Sequence, residues 1–300
     1  MKGMILAAGL GTRLQPLTSY IPKPLVPVGN RPVIDRTIHY LKAHGVQEMV
    51  VNAHHHAAKL ETHLDGGRPF GVTIQVRVEP KILGTGGGIR NTLDFWNTNP
   101  FVVVNGDILT DIDITRAYEG HVAQGNLVTL ILHDHAPFNQ VRVDGEMNIR
   151  EISPDPGPGK VAFTGIHIIN PAVLNRIPGG VFFDILECYR SLIKEGGQIK
   201  GYLSTGHYWR DIGSLNPYLL ANQEAAGREQ FLLGPGCRVA SSAEIKDWAV
   251  IGPKSVLGDR AQIVRSVLWR GARIGPGIRV ADSVITAQSE IMEDVIDRAL

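Results

Sequence analysis

The chain has only two cysteines, Cys188 and Cys237, far apart and outside any C-x-x-C spacing. That excludes a disulfide framework and a cysteine-rich zinc site, and it fits a reducing compartment. Long apolar runs are also missing, since nothing approaches the ~20 residues of a membrane span. The first apolar run, Met4–Ala8, follows a single basic residue and is too short for the core of a signal peptide. It reads as a buried first strand, and the expected location is the cytoplasm. Charge of one sign is not in excess either: 30 basic residues face 29 acidic ones, for a net charge of +1. No bulk field favours nucleic acid or an anionic membrane, so any phosphate-binding charge must be local. Two common nucleotide motifs are absent. There is no G-x-x-x-x-G-K-[ST], and Gly9-x-Gly11 is followed by Leu14 where a dinucleotide fingerprint needs Gly or Ala.

What is present is enough for two domains: 300 residues, 43% of them hydrophobic, with 34 glycines. Residues 1–228 alternate short apolar runs with helix-like stretches. Strand candidates are Met4–Ala8, Met49–Asn52, Val72–Val78, Phe101–Val104, Leu127–Leu132 and Phe163–Ile169. Helical patterns lie near 32–44, 56–64, 87–95, 113–124, 182–194 and 215–226. Several strands are apolar throughout, as in a sheet covered on both faces, and the alternation predicts an α/β fold with a Rossmann-like, mostly parallel sheet. Ligands of such sheets bind beyond the carboxyl ends of the strands.

After residue 232 the rhythm changes. Leu233, Val239, Ile245, Ile251, Leu257 and Ile263 stand six apart, and the series continues through Leu268, Ile274 and Val280. Four residues after successive members come Cys237, Ala243, Ala249, Ser255, Ala261, Val267 and Ala272, nearly all small. One large inward residue and one small corner residue per six predicts β-helix coils over 232–286. The remaining residues, 287–300, read as a helical tail capping the coils.

Three segments carry chemistry. Leu6-Ala7-Ala8-Gly9-Leu10-Gly11-Thr12-Arg13-Leu14 follows the first strand, with Pro22-Lys23-Pro24-Leu25 after it. Its glycines let backbone N–H groups approach phosphates, Arg13 offers a planar fork of donors, and Lys23 adds a second cation. Phe101–Val104 ends in Asn105-Gly106-Asp107, which puts a carboxylate at a strand's carboxyl end, where it can hold Mg²⁺. Leu83-Gly84-Thr85-Gly86-Gly87-Gly88-Ile89 enters a helix on glycines that permit close approach of a flat ring and a phosphate.

The first of these segments resembles the signature of the sugar-phosphate nucleotidylyltransferases, L-A-A-G-x-G-T-R-L-x-P-L-T with P-K-P-L. Tyr208-Trp209-Arg210-Asp211-Ile212-Gly213-Ser214 is similar to that family's W-x-D-I-G segment, and Phe163-Thr164-Gly165 to its sugar-side strand. The resemblance implies catalytic roles for Arg13, Lys23, Asp107 and Asp211, with Mg²⁺ on Asp107 and Asp211. It implies nucleotide contacts at Leu6, Ala8, Gly9, Gly11, Thr12, Arg13, Glu79, Gly84, Thr85, Gly86 and Asn105. Sugar-phosphate contacts fall on Lys23, Asp107, Thr164 and Gly165. The expected substrates are a nucleoside triphosphate and a sugar 1-phosphate, GTP with mannose 1-phosphate first and UTP with N-acetylmuramate 1-phosphate second. The coils resemble a left-handed hexapeptide β-helix, which implies a homo-oligomer.

One departure stands out. Many members carry E-K-P before the F-x-G strand, whereas Glu151-Ile152-Ser153-Pro154 has no lysine and Lys160 is the nearest candidate. Two readings from other classes compete. A nucleotide-sugar-sensing regulatory subunit would be expected to lose the charged residues, and all four are present. An acyltransferase would need a histidine in the coils, yet all 11 histidines lie at or before His207. His54-His55-His56 reads as a helix entry rather than a metal site, and His133-Asp134-His135 as a loop within reach of the sugar.

Overall fold

The computed structural model describes residues 1–286 and 290–300. The chain divides into two compact units, Met1–Leu10 with Ile34–Trp209, and Gly11–Val33 with Arg210–Leu300.

The first unit is an α/β sheet. Its strands are β1 (Lys2–Leu6), β2 (Glu48–Ala53), β3 (Thr73–Val78), β4 (Phe101–Asn105), β5 (Val128–His133), β6 (Asn139–Val143), β7 (Ile149–Ile152), β8 (Val161–Ile169) and β9 (Ile199–Leu203). The order β7-β6-β8-β4-β1-β2-β3 runs across the sheet, with β5 pairing both β8 and β9. β4, β1, β2 and β3 are mutually parallel, and β8 runs antiparallel to both β4 and β5. β4 and β5 therefore point the same way, and the carboxyl ends of β1, β4 and β5 share one edge.

Helices α1 (Val33–Ala43), α2 (Ala57–Leu64), α4 (Ile114–Gln124) and α5 (Ile185–Lys194) lie where the periodicity places them, while α3 (Gly84–Arg90) is shifted from the expected 87–95. A core of Met4, Val50, Phe101, Val103, Leu130 and Tyr189, among others, is fully buried. The hairpin β6–β7 and strand β9 were not among the sequence candidates. β6 is half polar and partly exposed, and β9 carries Gly201 where a side chain would meet Leu132. Neither shows the continuous apolar run by which the other strands are recognised.

The second unit joins residues 11–33 and α6 (Leu215–Ala226) to a β-helix. One face stacks Phe231–Leu233, Glu244–Ile251, Gln262–Leu268, Arg279–Ala281 and Val295–Ile296, and another stacks Arg238–Val239, Val256–Leu257, Arg273–Ile274 and Glu290–Ile291. Every pairing is parallel. Ile251, Leu257, Ile263, Leu268, Ile274 and Val280 point inward as the six-residue spacing requires, and Ala249, Ala261 and Ala272 fill the corners. Leu233 and Val239 are exposed because their strands end the two stacks, with no further strand beyond them among the described residues.

The helical tail is corrected. Residues 290–300 form two more rungs, with Ile291 over Ile274 and Val295 over Val280. A helix there would leave both buried residues bare, whereas a further coil covers them and pairs their backbone. The remainder of that expectation, 287–289, lies outside the described residues.

Candidate functional site

In the first unit, β1 ends at Leu6, opposite Asn52 of β2 and Asn105 of β4. Ala7 N–H donates to Asn52 Oδ1 at 2.7 Å, Asn52 Nδ2 donates to Glu79 Oε1 at 2.7 Å, and Leu83 N–H donates to Glu79 Oε2 at 3.0 Å. Glu79 is buried, and both its oxygens are held by protein. It thus ties the start of the signature loop to the turn before α3, and its carboxylate is committed to that work. Asn52 is a residue the sequence reading placed in a strand and gave no role. Its only outward sign is an amide at the carboxyl end of an apolar strand.

The glycine run lies inside α3, which starts at Gly84 and ends at Arg90, earlier than the 87–95 pattern suggested. Glycine is a poor helix former, so something must require it. A Cβ on Gly86 would stand 2.8 Å from Phe183 Cδ1, and one on Gly87 2.5 Å from Val181 O. Gly86 N–H and Gly87 N–H donate to Phe183 O at 2.9 and 3.1 Å. Thr85 Oγ1 donates to Asp184 Oδ1 and accepts from Ile185 N–H, both at 3.0 Å. The glycines therefore admit a loop of this same chain, residues 181–185. Gly88 alone faces the Asn52–Glu79 pair, 2.7 Å from Asn52 Nδ2 where its Cβ would be.

Gly106 N–H donates to Leu6 O at 2.9 Å, which fixes Asp107 just past the end of β1, beside the loop's first residues. Gly165, at φ 76°, leaves room for Asn105, whose Nδ2 lies 2.5 Å from where a Cβ would stand. Thr164 is buried and donates to Ile131 O at 2.8 Å, so its hydroxyl proton serves the sheet. Trp209 Nε1–H donates to Thr164 O at 2.9 Å, and the Trp209 ring meets His135 and Phe138 edge-on. The His133–His135 segment accordingly lies beside the Gly165 strand. Lys160 donates to Glu151 Oε1 at 3.2 Å and Ser153 Oγ at 2.6 Å. It is tied to the same stretch that lacks the family lysine.

In the second unit, Gly11 adopts φ 67°, and a Cβ there would press on Thr18 Cγ2 at 2.9 Å and Lys23 Cβ at 3.3 Å. Thr18 Oγ1 donates back to Gly11 O at 2.9 Å. The turn therefore closes on the base of the Lys23 side chain. Arg13 is exposed and Lys23 half-buried. Asp211 Oδ1 accepts from Gly213 N–H at 2.5 Å, and a Cβ on Gly213 would lie 3.0 Å from Arg13 Nη2. The structure thus brings Arg13 and Asp211 around Gly213, a junction of two motifs almost 200 positions apart in sequence.

Among the described residues no three or more His, Cys, Asp or Glu gather as a metal cage, and His54–His56 build none. His54 is held by Glu79 O at 2.7 Å, and His56 precedes α2 as expected. Aspartate oxygens nevertheless suit Mg²⁺, which takes one or two carboxylates and completes its shell with water and substrate phosphates. No described helix is long and apolar enough to cross a membrane.

Residues 2–228 match the family model described as nucleotidyl transferase. The chain is 28% identical to a UTP–glucose-1-phosphate uridylyltransferase of Synechocystis, over 95% of this chain and 87% of that one. It is 29% identical to a mannose-1-phosphate guanylyltransferase of Mycobacterium tuberculosis, over 94% and 79%. It is 34% identical to an N-acetylmuramate alpha-1-phosphate uridylyltransferase of Neisseria meningitidis, over 72% of this chain and 94% of that relative. The signature loop, the strand-end aspartate and a family match over the whole α/β region lead to one conclusion: the chain belongs to the nucleotidyl transferase family, among the sugar 1-phosphate nucleotidylyltransferases.

Proposed function

We propose that the protein joins a sugar 1-phosphate to a nucleoside triphosphate, releasing pyrophosphate, with GTP and mannose 1-phosphate as its pair. The observation that carries the reaction is the single segment holding Arg13 and Lys23 around the Gly11 turn, with Asp211 beside Arg13. The pair is supported by the mycobacterial guanylyltransferase, whose similarity runs through the β-helix as well as the α/β region. UTP with glucose 1-phosphate, or with N-acetylmuramate 1-phosphate, is the second reading, favoured by the relatives of those names.

A sugar phosphate is already an anion, so no base is needed to make a nucleophile, and catalysis reduces to positioning and charge neutralisation. Arg13 and the loop N–H groups stabilise pyrophosphate as it leaves. Lys23 neutralises charge near the α-phosphorus. Asp107 and Asp211 are the residues proposed to hold Mg²⁺, and the ion would supply charge neutralisation for the reacting phosphates. Gly165 admits the Asn105 amide beside the strand assigned to the sugar end. Glu79 acts on the nucleotide indirectly, by holding Ala7 and Leu83 in place.

The test is pyrophosphate release with Mg²⁺ across five triphosphates and the mannose, glucose, N-acetylglucosamine, N-acetylmuramate and heptose 1-phosphates. GTP with mannose 1-phosphate is expected to dominate. Asp107→Asn and Lys23→Ala should each lower kcat by at least ~10²-fold, and near-wild-type rates in both would overturn these roles. Silence across the grid with nucleotide-sugar still binding would indicate a regulatory subunit.

A further inference from the structure

The segment that carries Arg13 and Lys23 is held by the β-helix. Past Lys23 the chain runs through Pro27–Val28 and turns back at Arg31–Pro32. Three bonds fasten this short hairpin. Tyr218 OH donates to Pro27 O at 2.7 Å, Gly29 N–H donates to Asn222 Oδ1 at 3.0 Å, and Asn30 Nδ2 donates to Ile251 O at 3.0 Å. Tyr218 and Asn222 are one turn apart on α6 and joined to each other, Asn222 Nδ2 donating to Tyr218 O at 2.9 Å. Behind them, Trp269 Nε1–H donates to Tyr218 OH at 2.9 Å.

The polarity of this chain is forced. An indole N–H can only donate. The Tyr218 oxygen must therefore accept it, and its single proton goes to Pro27 O. Tyr218 and Asn222 are fully buried, so losing one partner strands a polar atom with no water to replace it. Trp269 and Ile251 belong to neighbouring coils, stacked through the Ile251–Leu268 register. Two adjacent rungs thus reach the hairpin, one through Asn30 directly and one through Tyr218.

We propose that Trp269, acting through Tyr218, is a positioning residue for the phosphate-binding segment, so that the β-helix is a working part of the active site. The contribution to turnover rests on the nucleotidylyltransfer reading; the mechanical coupling does not. It predicts that any ligand or neighbouring copy that shifts the Ile251 and Trp269 rungs changes the placement of Lys23.

Trp269→Phe keeps the ring and deletes the N–H, and Tyr218→Phe removes the relay. Amide exchange is read over residues 11–33 in the whole protein, beside pyrophosphate-release kinetics. The control is Arg265→Met, which breaks the coil's own ion ladder to Asp247 and Asp282. Both brace variants should exchange faster over 11–33 and lose roughly 3- to 10-fold in kcat, while Arg265→Met leaves both readouts unchanged. In a Lys23→Arg background Trp269→Phe should cost less than about twofold further, because the two act on one unit. Unchanged exchange over 11–33 in both brace variants would overturn the proposal, as would a loss of kcat fully additive with Lys23→Arg. If the wild type releases no pyrophosphate from any pair, the activity reading fails, and the exchange data alone decide the coupling.

Discussion

Asn52 shows how one buried amide can set the geometry of a loop it does not belong to. It is 2% exposed and bridges Ala7 N–H to the Glu79 carboxylate. Asn52→Ala removes both bonds at once and leaves a buried donor and a buried carboxylate oxygen unpaired. Each such orphan costs about 1–3 kcal/mol, so a loss of roughly 2–6 kcal/mol in urea denaturation is expected. Because Ala7 and Ala8 precede Gly9, the variant should also raise the KM for nucleoside triphosphate more than that for sugar 1-phosphate. An equal rise in both constants would assign Asn52 to general stability. The charged residues proposed for the site stand out in the sequence because Arg13, Lys23, Asp107 and Asp211 sit in dense local motifs. Asn52 does not, because its partners are 45 and 27 positions away and nothing nearby marks them.

At the level of elements, α3 shows a close-approach signal with a partner inside the chain itself. The run Gly84–Gly88 does mean close approach, but for most of its length what approaches is the 181–185 loop. Local reading has no means of distinguishing a ligand from a distant loop, since both demand the same missing Cβ. The distinction has a measurable consequence. In an ordinary exposed helix, Gly→Ala stabilises by about 1 kcal/mol. Gly87→Ala here would set a methyl 2.5 Å from the Val181 carbonyl oxygen, so the sign reverses. A loss of about 1–3 kcal/mol is expected, typical of overpacking, and read as a lowered Tm. A raised Tm would mean the loop yields freely and the glycines serve something else. The coils, by contrast, were readable almost rung by rung, because each six-residue step repeats the same packing problem. Only the last step failed, where the six-residue series stops at Val280 and no further rung is marked. In the structure Asp294 Oδ1 accepts from Arg279 N–H at 2.8 Å, holding a turn between rungs.

For the molecule as a whole, stability against acid depends on two histidines buried in the α/β unit, His121 and His167. Neither belongs to the proposed chemistry. Burial lowers His167 to about 3 and His121 to about 4, because the charged ring would lose its water. His167 Nδ1 lies 2.6 Å from Tyr189 OH, and His121 Nδ1 2.9 Å from Thr129 Oγ1. His121 Nε2 is buried with no partner among the described residues. Between the unfolded value near 6.5 and these depressed values, the unfolded chain binds more protons than the folded one. Stability is therefore complete above pH 6.5 and falls as pH drops toward 4, by up to about 1.4 kcal/mol per pH unit for each histidine. Lowered carboxylates such as Asp144 and Glu151 act only below about pH 5, so the fall between pH 6.5 and about 5 belongs to the histidines. His121→Leu isolates one of them. Thr129 Oγ1 keeps a partner in Asn126 Nδ2 at 3.2 Å, and leucine brings no proton-binding group. Urea midpoints taken from pH 7 to 4.5 should show the variant gaining steadily on the wild type as pH falls. Parallel curves for the two proteins would remove His121 from the acid response and leave the slope to His167.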